Sequence, residues 1–524
     1  MNSKSSHDQY HMSILVGKLK ELTGPERVLT DVEDIYVYSV EKIFEKPQVK
    51  LFDIVVKANS KEELDRIIEF AEKEKIVLVR RGKTRDRSIQ SKPMILLDDF
   101  QPPEFQTFEG KPLKKGEDLE KLHSMLMKGR PNIYKGTVDL ARVHIIGNLF
   151  ATCKDCTTCA SYCTVAPYFH FIETWSAKGR IILVRAFLKG ELPHSDKLVN
   201  ILYTCTLCGY CYLQCGSRLE VDKALIEARS RVAKSGRAPT ALKDIAKNIE
   251  KFGSPLPFLA RSRDKWIKEL PEKLSAVIND RSETLVWIGC NTSLYPKIPR
   301  ALTSVFKNAD LNFRTLGVNE TCCGGPLIEG GFIDEAKKIA QSIAKSFENM
   351  KVKTLITPCA GCYRTFTDFY PNLLNVQPPF EVLHTSQFFN RLINDKRIRF
   401  SELGTRVTYH DPCELGRHCG VYDEPRNVLR AIPNVQLLEP HLTKEYARCC
   451  GGGGDLWAFN HDVSMKAANI RLTEDIAPLK VDMLITACPQ CYRMFRYSVS
   501  GQRVQIKVLD FSEVVALASE PEKA

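Results

Sequence analysis

The sequence predicts a multidomain protein that combines α/β domains with an α-helical one. At 524 residues the chain is too long for a single hydrophobic core, and three or four domains are expected. From residue 283 onward, short apolar strands alternate with amphipathic helices, and this alternation occurs twice. Before it, two dense runs of cysteines are joined by a segment with a helical pattern. The fold class is therefore multidomain α/β plus α, with a duplicated C-terminal half.

Composition narrows the class of protein. With 44% hydrophobic and 26% charged residues, the chain has the make-up of an ordinary globular protein. No apolar run reaches the roughly 18 residues that span a bilayer, and the polar segment Met1–Met12 lacks the apolar region of a secretory signal. We therefore expect a cytoplasmic protein, with peripheral attachment to the inner face of the membrane only through a partner.

The nineteen cysteines indicate metal or redox chemistry. A reducing cytosol disfavours a disulfide framework, so thiols in such numbers are better explained as ligands. The net charge of +12, from 75 basic and 63 acidic residues, is scattered along the chain. Only the segment 80–87 concentrates it, which favours a solvated surface or an acidic protein partner over nucleic acid.

The N-terminal residues 13–110 read as a small α/β unit. Leu51–Lys57 and Ile76–Val79 are apolar and β-branched enough to be strands. Between them, Ser60 is placed to cap a helix, with Glu63 at the capping-box position.

This unit resembles the first part of the flavin-binding domain of FAD-linked oxidases such as glycolate and D-lactate dehydrogenases. The matching stretch is Asp53–Gly82, and Met94–Asp98 resembles the next strand of that domain. The family then has a glycine-rich loop that approaches the flavin pyrophosphate, whereas Lys83–Ser91 contains no glycine. The resemblance implies a partial module over residues 1–110, with FAD on a partner chain; residual flavin contact is the alternative.

Two cysteine runs of the form CxxCxxCxxxC are separated by 41 residues. Three cysteines of such a run hold one [4Fe-4S] cubane, and the fourth, expected on the helix that follows, ligates the other cluster. The predicted ligand sets are Cys153, Cys156, Cys159 with Cys215, and Cys205, Cys208, Cys211 with Cys163. A pair of structural zinc sites is the alternative, but zinc does not explain the repeated third and fourth cysteines.

The segment Ser176–Leu188 between the runs is expected to be helical. With this long insert, the region resembles the α-helical ferredoxin of succinate dehydrogenases. It departs from bacterial ferredoxins because no proline follows the fourth cysteine; Pro167 comes four residues later. Residues 111–280 are thus predicted to contain a linker, a ferredoxin-like domain with two clusters, and a helical connector.

The duplicated half contains two sets of five cysteines at similar spacings, each centred on Cys-Cys-Gly-Gly. The segments LITPCAGCYRTF and LITACPQCYRMF, which begin at Leu355 and Leu484, show the gene duplication directly. The first set is Cys290, Cys322, Cys323, Cys359 and Cys362, and the second is Cys413, Cys449, Cys450, Cys488 and Cys491. The predicted domains are residues 281–400 and 401–524.

Strands precede the cysteines in both copies. The predicted strands are Thr284–Gly289, Asn312–Thr315, Thr354–Thr357, Glu381–His384, Arg406–Tyr409, Met483–Thr486 and Lys507–Asp510. Carboxyl edges of parallel strands are where ligands gather, and five thiolates exceed the four that zinc accepts. Strain in the intervening peptide argues against a disulfide between adjacent cysteines.

The pattern of each set resembles the CCG domain of the heterodisulfide reductase catalytic subunit and its relatives, which include iron–sulfur subunits of glycolate and lactate oxidases. The resemblance covers residues 150–515 as a ferredoxin followed by two CCG domains. It implies that each five-cysteine set ligates a non-cubane [4Fe-4S] cluster, giving one or two clusters beyond the cubanes. Conventional clusters, or zinc in one site, are the alternatives.

Four further residues lie near these sets. Cys419 belongs to neither set and is expected to be a small buried residue rather than a ligand. His384, His410 and His418 could deliver protons during thiol chemistry, although a structural role in the core is the favoured interpretation.

The function predicted from the resemblance is that of an iron–sulfur oxidoreductase subunit. Electrons would pass through the two cubanes to the CCG sites, which would reduce or form a disulfide or sulfur substrate. The alternative is an electron-transfer subunit of an FAD-dependent glycolate or lactate dehydrogenase that feeds quinone. The expected partners are accordingly a flavoprotein or other electron-transfer subunit and a membrane or quinone-linked acceptor. A scaffold with structural zinc is a third possibility.

Overall fold

The computed structural model describes residues 6–39, 54–58, 60–74, 76–80, 94–98, 158–260 and 263–520. Within these ranges the protein is mixed α/β, largely helical, with parallel sheets. The chain divides into two compact units, Met1–Asp155 and Cys156–Ala524. None of the helices in the described ranges has the length and apolar character needed to cross a membrane.

The N-terminal unit contains one four-stranded sheet. Its strands are β1 (Val28–Leu29), β2 (Ile54–Lys57), β3 (Val77–Arg80) and β4 (Met94–Asp98), in the order β1-β2-β4-β3. The pairs β2–β4 and β4–β3 are parallel, whereas β1 runs antiparallel to β2. Its α-helices are Ser6–Thr23, Val32–Ser39 and Lys61–Lys73.

The predicted helix start in this unit is confirmed. Ser60 caps the helix Lys61–Lys73, because its Oγ accepts a hydrogen bond from the amide of Glu63 at 3.2 Å. The helix buries Ile67 and Ala71 against Ile54 and Val56 of β2. Alternate packing of this kind explains why the βαβ pattern was readable from the sequence.

The second unit begins with a helical region. Its helices are Thr158–Ser161, Ala177–Leu188, Asp196–Tyr203, Tyr210–Gln214, Val221–Lys234, Thr240–Phe252, Pro257–Ala260, Lys265–Lys268 and Glu272–Ser275. The predicted helix after Ser176 is confirmed, and the Ser176 hydroxyl caps it by accepting from the amide of Gly179. The expectation that the fourth cysteines lie on the following helices is wrong. Cys163 lies in a turn and Cys215 ends a five-residue helix, both well before the next long helix begins.

Each copy of the duplicated half contains a parallel sheet. In the first copy, β5 (Thr284–Val286), β6 (Thr354–Thr357) and β7 (Glu381–His384) lie in the order β5-β6-β7. In the second, β9 (Arg406–His410), β10 (Gln436–Leu437), β11 (Met483–Thr486) and β12 (Lys507–Asp510) lie in the order β10-β9-β11-β12. A short antiparallel pair joins β8 (Arg399–Phe400) to β13 (Ser519–Glu520).

Helices connect these strands. In the first copy they are Lys297–Asn308, Gly325–Gly330, Ile333–Asn349, Ala360–Arg364 and Thr385–Asn394. In the second they are Asp423–Ala431, Leu456–Phe459, His461–Ile470, Pro489–Gln502 and Phe511–Ala518. Two π-helices, Thr365–Leu373 and Arg471–Ile476, continue helices of the first and second copy.

The two copies exchange packing partners at their last helices. Phe511–Ala518, the final helix of the second copy, packs on Lys297–Asn308 of the first. In the same way, Thr385–Asn394 of the first copy packs on Asp423–Ala431 of the second. One hydrophobic core therefore runs through both copies, and it contains residues such as Phe306 together with Phe511.

The first strand of the first copy is shorter than predicted. Strand β5 ends at Val286, although the apolar pattern continues to Gly289. The amides of Ile288 and Gly289 donate to the carboxylate of Glu320, at 2.9 and 2.6 Å, instead of to a neighbouring strand. Gly289 also has a φ of +78°, which no strand accommodates. The predicted strand 312–315 is reduced to two isolated bridges.

The strands β7 and β12 end at equivalent helix caps. His384 caps the helix Thr385–Asn394, and Asp510 caps the helix Phe511–Ala518, each within a capping box. Burial lowers the pKa of His384 to about 4 and raises the pKa of Asp510 to about 8. Both caps are therefore uncharged near neutral pH, despite their different chemistry.

Asp510→Asn is expected to stabilise the protein at pH 8 and to change little at pH 5. The pKa of Asp510 is about 8 when folded and about 3.9 when unfolded. The folded protein thus holds a proton that the unfolded chain loses, so stability declines as the pH rises between these values. Asparagine keeps the cap without ionising, and its advantage should grow by up to about 1.4 kcal/mol per pH unit. Unfolding midpoints at the two pH values measure this.

Asp334→Asn is the matched control, because the Asp334 side chain is 69% exposed. A pH-independent difference between Asp510→Asn and the parent protein would contradict the assignment of a buried, protonated carboxyl.

Candidate functional site

The first five-cysteine set forms one contiguous chain of buried thiols. Cys290 follows β5, the adjacent pair precedes the helix Gly325–Gly330, and the last two cysteines flank the turn after β6. Hydrogen-bonding contacts link the thiols in the order Cys290, Cys322, Cys323, Cys362, Cys359. The adjacent pair thus lies at the centre of the set in space as well as in sequence.

The second set repeats this arrangement. Its thiols follow one another in the order Cys413, Cys449, Cys450, Cys491, Cys488. All five are buried. The structure therefore brings together each set of cysteines that the sequence analysis grouped.

The central thiol of each set has the strongest thiolate character. Hydrogen bonds from Cys449 and Cys491 lower the pKa of Cys450 to about 5. Hydrogen bonds from Cys322 and Cys362 likewise hold the pKa of Cys323 well below its usual value. Such clusters of soft donors suit iron–sulfur clusters or zinc and not hard cations. Five donors in one site exceed the four of a tetrahedral zinc site.

Glycines allow the backbone to approach these thiols. The amides of Gly324 and Gly451 donate to the sulfurs of Cys322 and Cys449, at 3.5 and 3.3 Å. Gly451 has a φ of +82°, and a Cβ there would lie 2.2 Å from the carbonyl oxygen of Ser464. Only glycine fits this turn.

The cysteine runs of the helical region surround a cavity. The cavity is lined by the four cysteines Cys163, Cys205, Cys208 and Cys211, together with Arg180, Asp222 and neighbouring apolar residues. Burial raises the pKa of Cys205 to about 11, and Arg180 Nη1 lies 3.6 Å from the sulfur of Cys163. Cys159 and Cys215 are partly buried. Cys153 and Cys156 lie outside the described residues.

The loop Cys205–Gly209 of the helical region packs directly on the second five-cysteine set. Cys208 makes a hydrogen-bonding contact with Cys449 and shares a buried cluster with Cys413. Two residues from the segment after Cys413 hold the loop: Arg417 Nε donates to the carbonyl of Cys208 at 2.8 Å, and His418 Nε2 lies 3.0 Å from the carbonyl of Leu207. The cavity and the second set are therefore adjacent.

Arg229 fastens this junction to both copies. Its fully buried guanidinium donates to five carbonyl oxygens, those of Leu202, Tyr203, Cys205, Glu329 and Gly454. Glu329 belongs to the first copy and Gly454 to the glycine loop of the second. One side chain thus satisfies backbone acceptors from three parts of the chain.

Arg364 forms a second junction through charge. It makes buried ion pairs with Asp222 of the helical region and Glu414 of the second copy, and a third with Asp368. Although burial lowers the pKa of the Arg364 guanidinium, the charges of Glu414 and Asp222 outweigh it and raise the pKa.

The two five-cysteine sets face each other. Asn291, next to Cys290, donates from Nδ2 to Gln490 Oε1 of the second CxxC turn at 3.0 Å. Tyr295 and Tyr492 meet edge to face at 4.9 Å. The approach of the copies leaves the two sets on opposite sides of this shared seam.

The three histidines singled out from the sequence have different surroundings. His384 caps a helix, and His418 holds the Cys205–Gly209 loop. His410 lies among the thiols of the second set, with one ring nitrogen and the sulfurs of Cys450 and Cys491 within 4.8 Å of one another. Burial lowers the pKa of His410 well below its ordinary value.

Cys419 lies apart from both sets, with its sulfur 3.8 Å from Thr367 Oγ1. It is partly buried, and burial raises the pKa of its thiol to about 12. The sequence analysis did not single out Arg229 or Arg364. The repeat Cys-Tyr-Arg at Arg364 and Arg493 was a visible signal for the second of these.

Comparison with known proteins agrees with this site. The cysteine-rich domain family (CCG) matches residues 284–367 and 407–496. The D-type polypeptide of the dihydromethanophenazine:CoB–CoM heterodisulfide reductase of Methanosarcina acetivorans is 30% identical over 388 residues, which cover 70% of this chain and 93% of the relative. The B-type polypeptide of the fumarate reductase (CoM/CoB) of Methanothermobacter marburgensis is 29% identical, covering 70% of this chain and 72% of the relative. The EtfAB:quinone oxidoreductase of Syntrophomonas wolfei is 30% identical, covering 61% and 46%.

The duplicated cysteine-rich domains and their buried thiol sets define an iron–sulfur oxidoreductase subunit. The chain belongs to the D-type heterodisulfide reductase family. Iron–sulfur clusters are implied by this membership and by the cysteine sets.

Proposed function

We propose that the protein transfers electrons from two [4Fe-4S] cubanes to clusters in the CCG domains, where a disulfide or sulfur substrate is reduced or formed. The supporting observation is the contact between Cys208 and Cys449, which joins the cavity of the helical region to the second five-cysteine set. No further carrier is needed between adjacent buried sites. Reduction of a disulfide consumes two electrons and two protons and yields two thiols.

The proposed cubane ligands are the two sets predicted from the sequence. Support comes from the cavity that Cys163 shares with Cys205, Cys208 and Cys211, since the fourth cysteine of one run there meets the first three of the other. The second cubane would be held by Cys153, Cys156, Cys159 and Cys215.

The ten cysteines of the CCG domains are the proposed ligands and reacting centre of the substrate site. When bound, iron–sulfur clusters supply one-electron steps and iron sites for sulfur. The protein's own contribution is burial of the thiols, which excludes water, and amide donors such as Gly324 and Gly451 that stabilise thiolate charge.

The proposed domain organisation follows the sequence analysis. A flavin-domain-like module occupies residues 1–110, the ferredoxin-like region with its linker residues 111–280, and the CCG domains residues 281–400 and 401–524. The partners would be a flavoprotein carrying FAD and a membrane or quinone-linked acceptor, so that the chain works at the inner face of the membrane.

A second candidate function is electron relay alone. The similarity to an EtfAB:quinone oxidoreductase favours it. The parallel β2, β4 and β3 strands at the N-terminus also resemble the start of a flavin domain. In this role the protein would pass electrons from a flavin-dependent 2-hydroxy-acid dehydrogenase towards quinone, without binding a disulfide.

Iron and sulfide analysis of anaerobically purified protein tests the proposal. Four [4Fe-4S] clusters predict about 16 irons per chain and negligible zinc. Cys450→Ser should lose about four of them, together with viologen-linked disulfide reduction. Cys419→Ser is the control and should keep both, because Cys419 lies outside the sets. About eight irons with no change in the EPR spectrum on addition of thiol would leave the relay function instead.

A further inference from the structure

The two five-cysteine sets differ at one position that the duplication makes equivalent. Strands β9 and β11 place His410 beside Thr486. Thr357 is the counterpart of Thr486 in the first copy, and Trp287, whose amide donates to the carbonyl of Ile356, lies beside it. Trp287 precedes Cys290 by the same interval that separates His410 from Cys413. The first set therefore has an indole where the second has an imidazole.

His410 faces the second set from a buried position. Its side chain is 1% exposed, and its ring packs edge to face on Phe495 at 4.7 Å. A ring nitrogen and the sulfurs of Cys450 and Cys491 lie within 4.8 Å of one another. Neither ring nitrogen has a hydrogen-bond partner among the residues that the structure describes.

A buried imidazole without a partner is costly, by about 1–3 kcal/mol for each unsatisfied group. Native proteins seldom leave such groups unpaired unless they serve a ligand. The indole nitrogen of Trp287 also has no partner within the described residues. An indole, however, is a donor only, whereas a neutral imidazole offers a lone pair to a metal.

We propose that His410 is a nitrogen ligand of the metal group at the second five-cysteine set, so that this site combines thiolates with an imidazole. The first set is then an all-thiolate site. This inference rests on the proposed function in one respect, because it requires a metal group in the second set. Exchanging thiolate for imidazole ligation raises the reduction potential of iron–sulfur centres. The second site, which contacts Cys208, is thus the one at higher potential.

Nitrogen hyperfine spectroscopy on the reconstituted protein tests the assignment without any variant. Labelling the histidines with ¹⁵N should convert a directly bonded ¹⁴N coupling of a paramagnetic iron centre into a ¹⁵N coupling. In His410→Phe that coupling should disappear, the second site should titrate at a lower potential, and its iron should be lost to a chelator about 10- to 100-fold faster.

His461→Phe is the matched control, since His461 lies exposed at the start of the helix His461–Ile470. It should leave the coupling, the potential and iron retention unchanged. Absence of an imidazole coupling in protein that carries the full iron content would overturn the role of His410 alone. Absence of iron from the second set, with no iron lost in Cys450→Ser, would instead overturn the proposed function.

Discussion

Gly454→Ala is expected to lower the free energy of unfolding by roughly 2–5 kcal/mol, because a left-handed backbone conformation costs a non-glycine residue about 1–2 and overpacking about 1–3. Gly454 has a φ of +62°, and an added Cβ would lie 2.3 Å from the carbonyl oxygen of Cys205 and 2.9 Å from the carbonyl carbon of Thr206. Both are backbone atoms that cannot rotate away. The loop Cys205–Gly209 must move, so the contact of Cys208 with Cys449 should open.

Two measurements follow from that displacement. Unfolding midpoints report the loss of stability, and rapid-mixing EPR reports the rate at which electrons reach the second set from the cubanes. Both should fall in Gly454→Ala. The control is Gly420→Ala, where φ is +76° but no atom lies within 4 Å of the added Cβ. It should show the backbone strain alone and an unchanged electron-transfer rate. Equal rates in the two variants would show that the contact at Cys208 is not the route.

Arg364→Met is expected to lower the free energy of unfolding by about 3–5 kcal/mol, the usual result of removing one partner from a buried ion pair. The Arg364 side chain is 1% exposed, and those of Asp222 and Glu414 are 8% and 10% exposed. Methionine fills much of the volume but leaves both carboxylates buried without their cation. Because these two residues come from the helical region and the second copy, the loss should loosen both against the first copy. Chemical unfolding of the reconstituted protein measures the effect.

Arg391→Met provides the comparison at an exposed ion pair. Arg391 pairs with Glu381 at 2.7 Å, with side chains 49% and 46% exposed, and such pairs contribute about 0–1 kcal/mol. Replacing Asp222 and Glu414 by their amides in the Arg364→Met background should restore part of the stability, since no uncompensated charge remains. A loss as small as that of Arg391→Met would show that Arg364 is not a structural junction.

The sequence was most informative where a strand ends at a chemically distinctive residue. Strands β6, β7, β11 and β12 were predicted with the bounds that the structure shows. Each is a short apolar run that stops at a cysteine turn or at a helix cap. Period-two patterns fix such strands locally, so no knowledge of distant contacts is needed. The grouping of ten cysteines into two sets was readable for the same reason.

Features that depend on distant residues could not be predicted in this way. Strand β5 ends early because Glu320, more than thirty residues later, captures two of its amides. Arg229 and Arg364 are single residues in helices, and nothing in their neighbourhood announces partners up to 225 positions away. The position of His410 beside Cys450 and Cys491 follows from strand register, which sequence patterns do not resolve.

The exchange of final helices between the two copies bears on how the molecule came to be asymmetric. Phe511–Ala518 covers the first copy and Thr385–Asn394 covers the second, a reciprocal contact of the kind that a two-fold symmetric dimer of single copies would make. In such a dimer every substitution occurs at both sites at once. Fusion of the copies in one chain frees each site to change alone. A tryptophan at 287 and a histidine at 410 are the kind of difference that only a covalently joined pair can acquire.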